Sequence, residues 1–310
     1  MKQGTVIKTT GSWHLVRYAD KDIPCKIKGK FRIKGIKTTN PVAVGDHVKF
    51  NLPDDEETGI IIEIIERKNY IIRKASNLSK ESHLLAANID QAFLLVTLKY
   101  PETTSEFIDR FLITSEAYHI PTVLVFNKTD LYDQELSEKL REYISVYSAI
   151  GYPCIESSVK KLINIDILKE MMQGKISLIA GNSGVGKSSL LNSMDKNLNL
   201  KTGDISSFHK TGKHTTTFPQ MFELSDGGFV IDTPGIKGFG LIDFKKNEIG
   251  LYFPEIFKLS KDCQYYNCTH THEPNCSVKK ALENGVIAWS RYKSYINIYT
   301  DDNEKYRSPY

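Results

Sequence analysis

The stretch Gly181-Asn-Ser-Gly-Val-Gly-Lys-Ser188 has the spacing G-x-x-x-x-G-K-S of a phosphate-binding loop. Gly181, Gly184 and Gly186 let the backbone turn tightly and approach an anion. The N–H groups along Asn182, Ser183 and Val185 would then face the phosphates, together with the start of a helix at Ser188 and Ser189. Lys187 supplies a positive charge at the β/γ-phosphates, and the Ser188 hydroxyl can ligate Mg²⁺. The loop follows an apolar run at Ile176–Ala180 and precedes a helical pattern, the context the motif requires.

Asn127-Lys-Thr-Asp130 follows another apolar run, Thr122–Phe126. It therefore falls at the C-terminal end of a strand, where ligands of open α/β sheets bind. The two oxygens of Asp130 match the N1–H and 2-amino donors of guanine. Adenine would leave that carboxylate unpaired, at a cost on the order of 1–3 kcal/mol. Asn127 can bond the N7/O6 side of the ring, and the stem of Lys128 can pack on the base. Ser157 and Ser158, after a short run at 152–155, are candidates for a second contact near the base. With a phosphate loop in the same chain, these residues specify GTP and GDP over adenine nucleotides, and disfavour an ATP-dependent RNA enzyme.

Asp232-Thr-Pro-Gly235 follows a third run, 229–231. Asp232 can hold Mg²⁺ through water, and the Gly235 N–H can meet the γ-phosphate. His214-Thr-Thr-Thr217 lies between the phosphate loop and that acid. One of Thr215, Thr216 and Thr217 can complete the Mg²⁺ shell when the γ-phosphate is present, and Thr217 is the candidate for this role. A separate constellation, Cys263-x4-Cys268-x-His270-x5-Cys276, offers three thiolates and one imidazole. That is enough for a closed, structural tetrahedral Zn²⁺ site, with His272 as the rival imidazole. Cys25 and Cys154 read as core residues.

Three kinds of element must position these groups. Residues 1–69 read as short strands at 4–9, 12–18, 23–27, 47–51 and 59–65, broken by Gly, Pro and Asp turns. Five short strands predict a small barrel of the oligonucleotide-binding (OB) type, with an SH3-like barrel as competitor. Residues 70–240 alternate apolar strands with amphipathic helices at 104–119, 134–150 and 164–172, which predicts an α/β domain with a mostly parallel sheet. Residues 241–310 read as helices at 245–259, 278–289 and 289–299 around the Cys/His cluster.

Charge narrows the partners. Residues 1–69 hold 13 Lys and Arg against 9 Asp and Glu, whereas the rest of the chain holds 28 of each. The net charge of +4 therefore lies in the barrel segment. Lys28, Lys30, Arg32 and Lys34 crowd together there with Phe31, a composition suited to tracking an RNA backbone. No apolar run approaches a membrane span, and Met1-Lys-Gln-Gly-Thr5 has no signal-peptide core, so the expectation is a cytoplasmic protein with no membrane partner.

The order of parts is unusual, because the base-reading Asn127–Asp130 precedes the phosphate loop. Rotating the chain restores the ordinary GTPase order. On Asn127–Asp130, Gly181–Ser188, Gly212-Lys-His-Thr-Thr-Thr217, Asp232–Gly235 and the segment 263–276, the chain resembles the circularly permuted ribosome-biogenesis GTPases. The resemblance implies an OB domain, a permuted GTPase domain and a zinc-binding helical domain. It implies GTP hydrolysis stimulated by the small (30S) ribosomal subunit during late maturation, with contacts to its rRNA, and a monomer. It also implies a catalytic role for His214. Ile236 stands where ordinary GTPases have a water-orienting glutamine, so slow turnover by the free protein is expected. The rival class is a nucleotide-gated RNA-binding module in which hydrolysis only sets residence time.

Overall fold

The computed structural model describes residues 1–27, 40–53, 56–74, 82–200, 220–232 and 245–300. Five strands open the chain: β1 (Lys2–Thr10), β2 (Trp13–Tyr18), β3 (Lys21–Ile27), β4 (His47–Asn51) and β5 (Gly59–Ile64). They pair in the order β1-β2-β3-β5-β4, and β4 returns to β1, so the sheet closes. Only β3 and β5 run parallel. Alternation explains the closure. Val6, Val16, Cys25, Val48, Phe50 and Ile61 all point inward and are fully buried. The expected OB-type barrel is therefore present, within a residue or two of the predicted bounds at most ends. Arg67, just beyond β5, grips the buried Asp46 carboxylate through Nε and Nη2, both at 2.6 Å.

A two-stranded ribbon follows, β6 (Tyr70–Lys74) with β7 (Ser82–Ala87), which the sequence reading did not anticipate. The α/β region then runs β8 (Gln91–Val96), α1 (Ser105–Ala117), β9 (Thr122–Phe126), α2 (Gln134–Ile150), β10 (Cys154–Glu156), α3 (Ile165–Met172), β11 (Ile176–Ala180), α4 (Lys187–Met194), β12 (Gln220–Glu223) and β13 (Phe229–Asp232). Its strand order is β10-β9-β8-β11-β13-β12, all parallel except β12. The apolar runs are continuous because both faces are covered. Leu94 and Val96 of β8 join Ile108 and Phe111 of α1 and Leu140 of α2 on one face. Phe93 and Leu95 join Ile165 and Leu168 of α3 and Leu190 of α4 on the other.

The chain leaves β8 for β9 and β10 on one side, then returns to β11 on the other side of β8. The order reverses between β8 and β11. A crevice outside the C-terminal ends of the strands forms at such a point. The loops after β8, β9 and β11 all open there.

Beyond residue 244 come a 3₁₀ turn (Lys246–Tyr252), α5 (Pro254–Ser260), α6 (Ser277–Glu283) and α7 (Trp289–Thr300). The single helix expected over 245–259 is divided, because Pro254 sits at the first position of α5 and cannot continue a preceding helix. The helix expected over 278–289 stops at Glu283, and Gly285 takes φ +70° just beyond it. These helices share a core of Ile249, Phe253, Ile256, Val278 and Tyr295, and that core includes Ile113 of α1. No helix among the described residues is long and apolar enough to cross a membrane.

Candidate functional site

The phosphate loop runs directly from the end of β11 into α4. Gly181, Gly184 and Gly186 all have positive φ, at +140°, +83° and +102°. Two of them could not carry a side chain even if the backbone allowed it. A Cβ on Gly181 would lie 2.6 Å from the Leu95 carbonyl oxygen, and one on Gly186 would lie 2.6 Å from Nδ2 of Asn127. Asn182, Ser183 and Val185 fill the turn between the glycines. Lys187 folds back over the loop, its Nζ donating to the carbonyls of Gly181 at 2.7 Å and Asn182 at 2.9 Å. Ser188 is buried in the first turn of α4, and Ser189 follows it.

The base-reading turn stands across the crevice and is joined to the loop. Asn127 is buried, donates from Nδ2 to the Val185 carbonyl at 2.8 Å, and accepts at Oδ1 from the Ser157 hydroxyl at 3.1 Å. Its amide thus braces the phosphate loop against the end of β10. Ser158 Oγ donates to Asp130 Oδ1 at 2.5 Å and accepts from the Lys161 N–H at 3.1 Å. The two serines therefore hold the Asn127 and Asp130 side chains in place. Lys128 takes a left-handed conformation, φ +63°, and its Nζ donates to the carbonyls of Tyr100 and Gly184, both at 2.6 Å. Burial pushes the Lys128 ammonium down from its ordinary range, and the nearby Asp130 charge opposes that shift.

Sequence reasoning missed two contributors. Tyr132 donates its hydroxyl to the Asn127 carbonyl at 2.9 Å and accepts from the Leu98 N–H at 3.0 Å. The loop after β8 is the second, packed so that Pro101 Cδ would lie 3.6 Å from a Cβ on Gly184. A Thr97-x3-Pro101-x-Thr103-Thr104 pattern at a strand end was the available signal. β13 ends at Asp232 beside β11, at the same edge of the sheet. Gly235, Ile236, His214, Thr217 and the basic Lys28, Lys30, Arg32 and Lys34 lie outside the described residues.

The cysteine constellation converges 263–276 into one cluster. Ligand atoms of Cys263, Cys268, His270 and Cys276 all lie within 4.8 Å of one another. His270 Nδ1 is 3.6 Å from Cys263 Sγ and 3.4 Å from Cys276 Sγ, and the two sulfurs are 3.9 Å apart. A tetrahedral ion with metal–sulfur bonds of about 2.3 Å requires ligand separations of about 3.5–3.8 Å, so the donor set fits. The rival His272 is outside the cluster, exposed, with Nδ1 beside the Thr271 hydroxyl at 2.8 Å. Burial pushes the Cys268 thiol up to about 12, and a bound cation is what would hold it as thiolate.

The knuckle is supported by residues the sequence reading did not single out. Tyr292 and Tyr295 of α7 donate to the His270 and Thr269 carbonyls, each at 2.7 Å. Glu273 accepts from the Thr269 N–H, the Thr269 hydroxyl and the Thr271 N–H. Burial raises this carboxyl, but those donors outweigh it and hold Glu273 at about 2.

Comparison with known proteins agrees with this geometry. A family model described as RsgA GTPase matches residues 64–242, and one described as RsgA N-terminal domain matches residues 3–61. The chain is 54% identical to the small ribosomal subunit biogenesis GTPase RsgA of Phocaeicola vulgatus, across 99% of this chain and 100% of that one. It is equally 54% identical to the protein of that name from Christiangramia forsetii, across 98% of both chains. The crystal structure of YjeQ from Thermotoga maritima superposes with a TM-score of 0.79 at 38% identity, covering 96% of this chain and 97% of that one. YloQ, described as a circularly permuted GTPase, gives 0.75 at 30% identity, covering 97% and 94%.

Proposed function

The chain belongs to the RsgA GTPase family, and from that premise we propose that guanine nucleotide binds in the crevice between β8 and β11. The protein is a GTP hydrolase of small-ribosomal-subunit biogenesis, with a circularly permuted GTPase fold. The observation that carries the site is the pairing of Ser158 with Asp130 across from a three-glycine phosphate loop. One Asp130 oxygen is held by the Ser158 hydroxyl, and in this reading the carboxylate meets the N1–H and 2-amino donors of guanine. In this reading Asn127, Lys128 and Asp130 read guanine, with Ser157 and Ser158 setting their positions. Residues 181–189 hold the phosphates. Ser188, Thr217 and Asp232 would hold Mg²⁺, which neutralises developing charge on the phosphoryl oxygens when bound. Gly235 would meet the γ-phosphate.

The test is an exchange of base preference. Asp130→Asn should lose GDP and GTP and gain the xanthine nucleotides, because an Asn amide can donate to the 2-oxo group of xanthine. Unchanged guanine affinity would remove Asp130 from the site.

Three finer assignments belong to the same proposal. His214 assists hydrolysis on the subunit: His214→Ala should keep nucleotide binding and lose roughly 10²–10⁴ in subunit-stimulated single-turnover rate. The Cys263, Cys268, His270 and Cys276 set holds one structural zinc, supported by its closed four-donor geometry. Metal analysis of protein prepared without chelators should find one equivalent, and Cys268→Ser should lose it. Lys28, Lys30, Arg32 and Lys34 contact rRNA of the 30S subunit. Neutralising them should weaken subunit binding and flatten its salt dependence, leaving GTP binding intact. The working organisation is a barrel domain over 1–69, a GTPase domain over 70–240 and a metal-binding domain over 241–310, in a cytoplasmic monomer.

A further inference from the structure

The loop between β8 and α1 lies in the crevice, yet nothing in the phosphate or base motifs includes it. It is built to hold one shape. Thr97 and Thr103 are both fully buried. The Thr97 hydroxyl donates to the Pro101 carbonyl at 2.5 Å, the Thr97 N–H donates to the Thr103 hydroxyl at 3.2 Å, and the Thr103 N–H returns to the Thr97 carbonyl at 2.8 Å. Three bonds between the two ends of so short a loop leave the intervening peptide groups little freedom.

That shape is used at Tyr100. Its carbonyl accepts from Lys128 Nζ at 2.6 Å, and the same ammonium reaches Gly184 of the phosphate loop at 2.6 Å. The ammonium thus joins three loops: the loop after β8, the turn at Asn127–Asp130 and the phosphate loop. Tyr132 joins the first two again from the other side, through Leu98 and Asn127. The Lys128 ammonium donates to two backbone carbonyls, and its place depends on them. One of these moves with the phosphate loop itself. The other belongs to the residue before Pro101, whose carbonyl Thr97 holds.

We propose that Thr97 is a positioning residue for guanine recognition: through the loop 97–103 it holds the Tyr100 carbonyl where it fixes the Lys128 ammonium against the phosphate loop. This rests on the guanine-site reading above. A valine at position 97 keeps the shape of threonine but leaves the Pro101 carbonyl without its donor. The loop then relaxes, the Tyr100 carbonyl leaves Lys128, and the lysine stem no longer has a set place beside the base. The hydroxyl, not the bulk, carries the effect.

The experiment is a calorimetric titration of the full-length chain with GDP. Thr97→Val should raise the dissociation constant about 10-fold, the scale of one lost buried hydrogen bond. Thr97→Ser, which retains the hydroxyl, should return it to within about 2-fold of the parent. In a Lys128→Met background, Thr97→Val should add no further loss, whereas a merely structural role would multiply the two effects. If Thr97→Val fails to fold, Thr103→Val with Thr103→Ser tests the same loop by the same readouts. Parental affinity for Thr97→Val, or independent losses in the double variant, overturns the proposal. Asp130→Asn run in parallel separates the two readings. If it loses GDP while Thr97→Val does not, only the role of Thr97 falls. If Asp130→Asn keeps GDP, the guanine site is wrong and this inference falls with it.

Discussion

The α/β region is joined to its two neighbours by different physics. Toward the barrel, backbone pairs with backbone over an apolar seam that includes Ile7 and Val44. Lys8 of β1 pairs with Gln220 of β12, which makes one continuous sheet of barrel and GTPase strands. Val44 bridges Ala86, and Gly45 packs so closely that a Cβ would lie 2.1 Å from the Ala87 carbonyl oxygen. The charged contact there, Arg17 with Glu223, is partly exposed. Toward the C-terminal helices the contact combines the apolar packing of Ile113 with a buried ionic cluster. Arg291 of α7, 1% exposed, donates to Asp109 of α1 at 2.6 Å and to both oxygens of Glu255 of α5, and its guanidinium lies 4.6 Å from the Phe253 ring centroid. Tyr147 of α2 donates to the same Asp109 oxygen at 2.8 Å. Backbone pairing accepts many side chains, provided nothing intrudes. A buried charge pair accepts almost no single change, because removing one partner strands the other in a place where water cannot reach it.

The largest expected effect breaks that second junction. Asp109→Ala should cost about 3–5 kcal/mol, since it leaves a buried guanidinium short of its partner. Urea unfolding followed by fluorescence of Trp289, which adjoins the junction, reads this loss. A cost below about 1 kcal/mol would mean the cluster is solvated in solution.

Acid should act first on the barrel side. His14 of β2 is buried, and neither ring nitrogen has a hydrogen-bond partner among the described residues. Burial pushes its imidazole down to about 4. The unfolded chain, with a His pKa of about 6.5, binds this proton more readily than the folded one, so stability is full above that value and falls as pH drops toward 4. The total loss is about 3 kcal/mol. His14→Leu should flatten this part of the pH–stability curve, and a curve of unchanged slope would remove His14 as its source.

Gly45→Ala is the corresponding break at the backbone junction. The residue has φ +89° and no room for a methyl group, so a cost of about 2 kcal/mol is expected in thermal unfolding. The smallest effect belongs to the exposed pair. Arg17→Ala should change stability by less than about 1 kcal/mol, because exposed ion pairs are screened and entropically costly. If Arg17→Ala matched Gly45→Ala, the distinction between backbone and side-chain contact would fail at this junction.

The sequence by itself determined many of the elements and singled out the contiguous residues proposed to carry chemistry. The strands His47–Asn51, Thr122–Phe126 and Ile176–Ala180 and the helix Gln134–Ile150 coincide with the observed bounds, because periodicity and capping are local. Gly181–Ser188 and Asn127–Asp130 could be singled out for the same reason: each is a short turn built of neighbours in the chain. Ligand choice in the metal cluster was not, since His270 and His272 are equivalent by spacing and only the fold turns one inward. The ribbon β6–β7 was also missed, because register between strands is a tertiary property. The structure alone decided that Asn127 braces the glycine loop, that Ser157 and Ser158 hold the Asn127 and Asp130 side chains, and that Arg291 finds Asp109, 182 residues away. Such contacts depend on where two loops or helices meet after the sheet has reversed its order between β8 and β11. No local pattern records that meeting, because its energy appears only once both partners are buried together.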